Sequence, residues 1–349
     1  MSKIIKIGAA CAALAAAVAV SFLVRSSVDS LDETTENDIP IIKVGKNKTL
    51  PDNITVFSDE NTPSSDITPA MWKVTAPDGK SLYMLGTMHA LTEDCYPLPD
   101  YIKTAFDESD KLSCEINNVD TSLFVFDSQD YTPQPELPQG DTLSAHLTSE
   151  QYELLSRYLS DHGKDIVEYD GYAPWYVYEN ALNTVKTENQ ADSTTISATI
   201  GIDRVLQISA NLADKEILSL ETDEAKQTVF SSMPEDVMGA VIEQYCGKGD
   251  SGLANDLSRC FEAWKSGDLD TIETVAYDTG YVSESSVPLL EKYNELFIID
   301  RNRIMTDKIE EYLSGEPKVF VIAGTAHFVG EKGIPALLEA DGYTVERVN

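Results

Sequence analysis

Lys318-Val319-Phe320-Val321-Ile322-Ala323-Gly324-Thr325-Ala326-His327, near the end of a 349-residue chain, decides the reading of the fold. The run from Lys318 to Ala323 reads as a strand. A Gly-Thr-x-His turn follows it, then helical spacing over Ile334 to Ala340, then a strand from Tyr343 to Val348. The same order stands near the other end. There Leu82-Tyr83-Met84-Leu85 precedes Gly86-Thr87-Met88-His89, a helix is expected over Asp100 to Phe106, and a strand over Lys111 to Ile116. Two strand–Gly-Thr-x-His–helix–strand ends make a degenerate repeat, and α/β units in one sheet bring their loops to a common edge. The expected fold is therefore α/β: a mixed β-sheet core built from the two ends, with a largely helical insertion between them.

Around this frame, Met71 to Val74 pairs with Leu82 to Leu85 as a hairpin across Asp78-Gly79. In the middle, Thr148 or Ser149 caps a helix whose Tyr152, Leu155 and Leu159 share a face, and Gly163 ends it. Gly201-Ile202-Asp203 opens a helix to about Ala213, and Ile217 to Leu220 is a strand. Helical spacing returns over Pro234 to Cys246, Leu253 to Lys265 and Pro288 to Leu313. The glycine-rich Gly247 to Gly252 reads as a flexible loop between two of these helices.

Outward from the domain, residues 1–24 read as a signal peptide or an N-terminal membrane anchor. Ile7 to Val24 is uncharged and apolar, preceded by Lys3 and Lys6 and followed by Arg25. Bases before such a stretch favour an inside N-terminus, so the remainder is expected to be extracytoplasmic, membrane-anchored or secreted. Residues 25–68 are acidic and polar with scattered Pro, an expected disordered spacer, and residues 69–349 form the folded domain. With 26 Lys and Arg against 59 Asp and Glu the formal charge is −33, which argues against a nucleic-acid partner, because phosphate binding needs basic patches. Cations are not disfavoured.

Two of the chain's four histidines, His89 and His327, occupy the repeated turn. Gly86 and Gly324 at its head permit positive φ or close backbone approach, and each His projects from the carboxyl end of a strand. Two neutral imidazoles and a carboxylate make a three-ligand set that leaves a divalent metal ion an open position, and Glu115, in the strand after the first motif, is the chosen carboxylate. Glu93, four residues after His89, is the alternative acid. Asp203 and Glu221 either orient these ligands or merely cap helices, and Arg301 and Asn302 either reach a substrate carbonyl or carboxylate or lie on a solvated helix face. His146 and His162 read as surface or capping residues. There is no Gly-x-Ser-x-Gly elbow, His-Glu-x-x-His helix, phosphate loop or Gly-x-Gly-x-x-Gly fingerprint, and no Cys-x-x-Cys. Pairing Cys246 with Cys260, or Cys95 with Cys114, would suit an exported protein, but the spacing selects no pairing.

Trp72-Lys73-Val74, Leu85-Gly86-Thr87-Met88-His89, Glu115, Pro174-Trp175, Gly201-Ile202-Asp203, Leu220-Glu221-Thr222, Arg301-Asn302-x-x-Met305 and Ala323-Gly324-Thr325-Ala326-His327 together resemble the TraB/GumN family, related to the Tiki proteases. The resemblance spans about residues 69 to 349. It implies a fold related to the erythromycin-esterase and haem-binding ChaN groups and a metal-dependent hydrolase site on His89, His327 and Glu115. The functional expectation is an extracytoplasmic metallohydrolase, a peptidase acting on peptides or proteins. The alternative is a noncatalytic protein that sequesters a peptide or haem on the same fold.

Overall fold

The computed structural model describes residues 50–51, 54–60, 62–117, 135–182, 196–197, 200–315 and 318–349. The apolar stretch Ile7 to Val24 and most of the acidic segment lie outside these residues. Among the described residues no helix is long and apolar enough to cross a membrane.

The hairpin forms as expected: β1 (Met71–Thr75) and β2 (Ser81–Thr87) pair antiparallel with Met71 opposite Leu85, and Gly79 takes φ 89° in the turn. Next come α1 (Asp100–Glu108), β3 (Lys111–Cys114), α2 (Ser149–Asp161), and α3 (Pro174–Val177), which runs into a π turn at Tyr178–Leu182. Then follow α4 (Ile202–Leu212), β4 (Glu216–Ser219), α5 (Asp223–Ser231), α6 (Glu235–Ser266), α7 (Leu269–Ala276) and α8 (Val287–Asn294). A second π turn, Glu295–Ile299, joins α8 to α9 (Asp300–Ser314), and β5 (Val319–Gly324), α10 (Ile334–Ala340) and β6 (Thr344–Arg347) close the chain.

The strands make one mixed sheet in the order β4-β3-β5-β2-β1-β6, in which β4, β3, β5 and β2 are mutually parallel and β1 is antiparallel to both neighbours. The two ends of the chain meet at its centre: β2 and β5 are adjacent, with Gly86 opposite Ala323 and Thr87 opposite Gly324. Alternation along β5 explains its apolar run. Phe320 and Ile322 enter a core with Leu85, Leu112, Ile102, Val205 and Trp264, whereas Val319, Val321 and Ala323 face Met305, Ile309, Ile334 and Leu338 on the other side. Both faces are covered by helices, so each position of the strand must be apolar. A third cluster, with Leu155, Val177, Tyr178, Tyr245, Leu290 and Phe297, is the core of the helical insertion.

Thr148 caps α2 through a reciprocal capping box with Gln151, and Gly163 beyond its end has φ 70°. Elsewhere the structure departs from the sequence reading. Gly247 to Gly252 is a sharp break and not a flexible loop: α6 consists of two helical halves that meet at Gly249, which is non-helical (φ 61°, ψ 176°), and Lys248, buried beside Asp256 and 3.0 Å from Asp278, ties the halves together. The segment read as spacer contributes to the packing. Val56 and Ile67 are buried, and the backbone N–H of Leu98 donates to Val56 O at 2.8 Å. Cys95, Cys114, Cys246 and Cys260 are buried free thiols, so neither suggested disulfide is present.

Candidate functional site

Parallel strands deliver their carboxyl ends to one edge of a sheet. Four of them here are followed, within a few residues, by a titratable side chain: β2 by His89, β5 by His327, β3 by Glu115 and β4 by Glu221. Their convergence is measured at Gly324. A Cβ there would stand 3.2 Å from Glu115 Oε1, 3.6 Å from His89 Nε2 and 3.9 Å from His327 Cδ2. Neither motif glycine has a positive φ, so of the two sequence-level reasons for glycine only close approach applies. At Gly86 the crowding group is Thr325, whose hydroxyl donates to Thr87 O at 2.9 Å and would be 2.8 Å from a Cβ on Gly86.

Each member of the cluster is fixed from behind. Glu115 Oε1 accepts from the Gly324 backbone N–H at 2.7 Å, and Oε2 accepts from Arg301 Nη2 at 2.9 Å. Arg301 also donates from Nε to Glu221 Oε2 at 2.9 Å and from Nη1 to Phe297 O at 3.3 Å, with its guanidinium 5.1 Å from the Phe297 ring centre. The π turn immediately before α9 ends at Ile299, and Arg301 and Asn302 are both buried. The solvated-face reading of these two residues is overturned. His327 Nδ1 lies 2.6 Å from Asn302 Oδ1, and Asn302 Nδ2 donates to Lys332 O at 2.8 Å. An amide oxygen can only accept, which places the proton on His327 Nδ1 and leaves the Nε2 lone pair facing the cradle, 3.8 Å from Glu115 Oε2.

His89 is fixed from the other side. Its Nδ1 stands 3.1 Å from Asp203 Oδ1, a buried oxygen with no other partner, so a proton on Nδ1 satisfies it and leaves Nε2 free. The cap reading of Asp203 and Glu221 fails, because the residues that cap α4 and α5 are Gly201 and Thr222. Gly201 is the residue whose necessity sequence reasoning missed. A Cβ on it would overlap the carbonyl oxygen of His89 and reach within 2.5 Å of its carbonyl carbon, and Ile202 N donates to Met88 O at 3.2 Å. Glu93, the alternative acid, is exposed on a one-turn 3-10 helix, Glu93–Cys95, instead of buried with the histidines. His146 and His162 are the capping residues expected: His162 Nδ1 donates to Tyr158 O at 2.7 Å, and His146 lies between Asp141 and Glu235.

The electrostatics follow from this wiring. Burial raises the Glu115 pKa, but the charges of His327, Arg301 and His89 prevail and hold it well below the usual carboxylate range. Burial takes His327 down to about 3 against the pull of Glu115, so it is neutral near pH 7 and Arg301 is the charge that keeps Glu115 ionised there. For His89 burial lowers the pKa, and Asp203 and Glu115 more than offset it, moving it up.

Among the described residues no three His, Cys, Asp or Glu stand together as a ready metal-ligand group. The donor chemistry nevertheless suits a divalent cation: two imidazoles presenting Nε2 lone pairs, each oriented through Nδ1, beside an ionised carboxylate.

An α/β frame with a His–Glu–His cradle at the carboxyl edge of its parallel strands defines the class. The family model described as the TraB/PrgY/gumN family matches residues 70–347, and the chain belongs to that family. Neither the curated proteins nor the solved structures yield a match to it.

Proposed function

We propose that the protein is a metal-dependent hydrolase that acts as a peptidase, with His89, His327 and Glu115 as the metal-holding groups. The observation that carries this reading is the convergence of His89 Nε2, Glu115 Oε1 and the His327 ring around the position a Cβ on Gly324 would take, with both Nδ1 atoms tied to acceptors behind them. A divalent cation held there would supply Lewis acidity, polarising a carbonyl and acidifying water. The chain's own residues do the rest. Asp203 and Asn302 orient the imidazoles, and Arg301 with Glu221 holds Glu115 in place and in its charged form. Both Glu115 oxygens already accept hydrogen bonds, which makes this carboxylate a weak proton acceptor and favours the role of ligand over that of general base. The finer relation to the erythromycin-esterase and ChaN folds, with the two ends as true duplicates, belongs to the same reading, supported by the adjacency of β2 and β5.

The test is metal analysis of the purified full chain together with cleavage of a peptide library before and after chelation. Chelator-sensitive, metal-restored cleavage is expected. Glu115→Gln, which keeps the shape and removes the charge, should weaken metal affinity by about 10- to 100-fold. A variant that binds metal and cleaves like the parent would remove Glu115 from the site.

A second reading draws on the same hydrogen bonds: Glu115 is internally satisfied and the ligands are not pre-assembled, as suits a noncatalytic protein that sequesters a peptide or haem. Tight binding without turnover under every metal would select it. The same reading puts the domain outside the cytoplasm, supported by the bases Lys3 and Lys6 before Ile7 to Val24. Protease shaving of intact cells should remove it, and full protection beside a digested outer-surface control would reverse the topology.

A further inference from the structure

The helical insertion carries two histidines that the cradle does not use, and each has an acceptor at both ring nitrogens. His146 stands just before α2, with Nε2 3.0 Å from Asp141 Oδ2 and Nδ1 2.7 Å from Glu235 Oε2, and Glu235 is the first residue of α6. His162 follows the last residue of α2, with Nδ1 2.7 Å from the Tyr158 carbonyl oxygen and Nε2 2.8 Å from Asp250 Oδ2. Carboxylate and carbonyl oxygens only accept, so a neutral imidazole, with a single N–H, would turn one lone pair on an acceptor at each site. The imidazolium satisfies both. The two sites lie at opposite ends of α2 and on one helix, α6, and the spacing from His146 to His162 matches that from Glu235 to Asp250 within one residue. α2 is therefore laid parallel to α6 and gripped at both ends. Between the grips the two helices are in close contact: a Cβ on Gly239 would stand 2.6 Å from Gln151 Oε1, Gln151 Nε2 donates to Glu243 Oε2 at 3.3 Å, and Leu155, Tyr158 and Leu159 share a core with Val241 and Tyr245.

The second grip is wired beyond its histidine. Tyr158 OH donates to the other Asp250 oxygen, Oδ1, at 2.7 Å, and its ring packs on the His162 ring with centroids 4.5 Å apart. Asp250 directly follows Gly249, where α6 breaks, and beyond the break Trp264 Nε1 donates to Gly86 O at 2.9 Å. The helix that α2 grips thus reaches the turn that carries His89. We propose that His146 and His162 are a pair of protonation-dependent clasps that fasten α2 to α6 in acid and release it as the pH rises. His146 is faced by Asp141 from the preceding loop and Glu235 from α6; His162 is faced by Asp250 from α6 and by Tyr158 and Asp161 from α2. Tyr245 and Cys246 of α6, next to Tyr158, are kept neutral by burial. The hydrogen bond to Glu235, with that to Asp141, raises the His146 pKa against its partial burial. For His162 burial lowers the pKa, and the Tyr158 carbonyl and Asp250 more than offset it. Both folded-state values therefore lie above the ordinary imidazole value of about 6.5, so the stability the clasps contribute is fully present below that pH and lost as the pH climbs through the raised values. The inference does not depend on the hydrolase reading.

The experiment uses the full chain labelled with ¹⁵N. Long-range ¹H–¹⁵N spectra of the imidazole rings, followed from pH 5.5 to 8.5, should give both histidines titration midpoints above about 6.5, with Nδ1 and Nε2 both protonated on the acid side. His146→Gln and His162→Gln identify the signals by removing them. Hydrogen exchange of the α2 amides, corrected for the intrinsic pH dependence of exchange, reads the clasping itself. Protection should fall between pH 6 and pH 8.5 by about 3- to 5-fold for each clasp, the scale of a partly exposed ion pair, and by about 10- to 25-fold for the two together. Each single variant should lose its own share of that fall, and the double variant should give a nearly flat profile. A midpoint at or below 6.5 in either histidine, α2 protection that ignores pH in the parent, or a pH dependence undiminished in the double variant would overturn the proposal. Should the double variant not fold, the ring titrations and the exchange profile of the parent decide it on their own.

Discussion

Arg301→Met should destabilise the protein by about 3–5 kcal/mol at pH 7, the usual result of removing one partner from a buried ion pair. The guanidinium serves Glu221 through Nε, Glu115 through Nη2 and the Phe297 carbonyl through Nη1. Met fills much of the same volume, so the loss reports the charge and not a cavity. With Arg301 gone, two carboxylates remain close together in a dry site, and their pKa values should rise above those of the unfolded chain. The folded variant then binds more protons than the unfolded one, so its stability falls as pH rises, and the deficit should narrow between pH 7 and about pH 5. In the parent the sign is opposite. The depressed Glu115 pKa contributes stability that is present above the ordinary carboxylate range and lost as the pH drops below it towards the folded-state pKa. Urea denaturation of both proteins across this range, with Arg301→Met/Glu221→Gln as the double variant, checks the account. A double variant no more stable than the sum of the singles would show that the buried charge was not the cause.

Gly201→Ala should be nearly as damaging, at about 3 kcal/mol, for a steric reason. The added methyl would meet backbone atoms of His89, which cannot swing away as the end of a flexible side chain could. Relief requires α4 to retreat from the turn after β2, which breaks the Ile202 N to Met88 O hydrogen bond and separates Asp203 from His89. Metal affinity should fall by about 10- to 100-fold along with stability, since an imidazole loses its orienting partner. Gly171→Ala is the control, with negative φ and no atom within 4 Å of its added Cβ, and should stay within about 0.5 kcal/mol of the parent. Identical melting of the two variants would contradict the contact.

Much of this arrangement was legible in the chain itself, and what was legible is local. The apolar runs Leu82 to Leu85 and Val319 to Ala323, the Asp78-Gly79 turn and the Thr148 cap each act over a few residues, so they define β2, β5, the hairpin and α2 without reference to the rest of the molecule. The repeated Gly-Thr-x-His marked His89 and His327 for the same reason, because each is set by the strand that ends just before it. What only the tertiary structure decided depends on groups far apart in sequence. Arg301 reaches Glu115 across 186 positions and has no local signal that distinguishes it from a solvated helix residue. Gly201 looks like any glycine at a helix start until the turn carrying His89 is laid against it. Asp203 and Glu221 carried the ordinary signature of helix caps, yet each faces a buried cation or imidazole instead. Sequence pattern specifies which faces are apolar and where the chain turns; which polar groups share the low-dielectric edge of the sheet is settled only when those faces pack, because the cost of burying a charge exists only once water has been excluded.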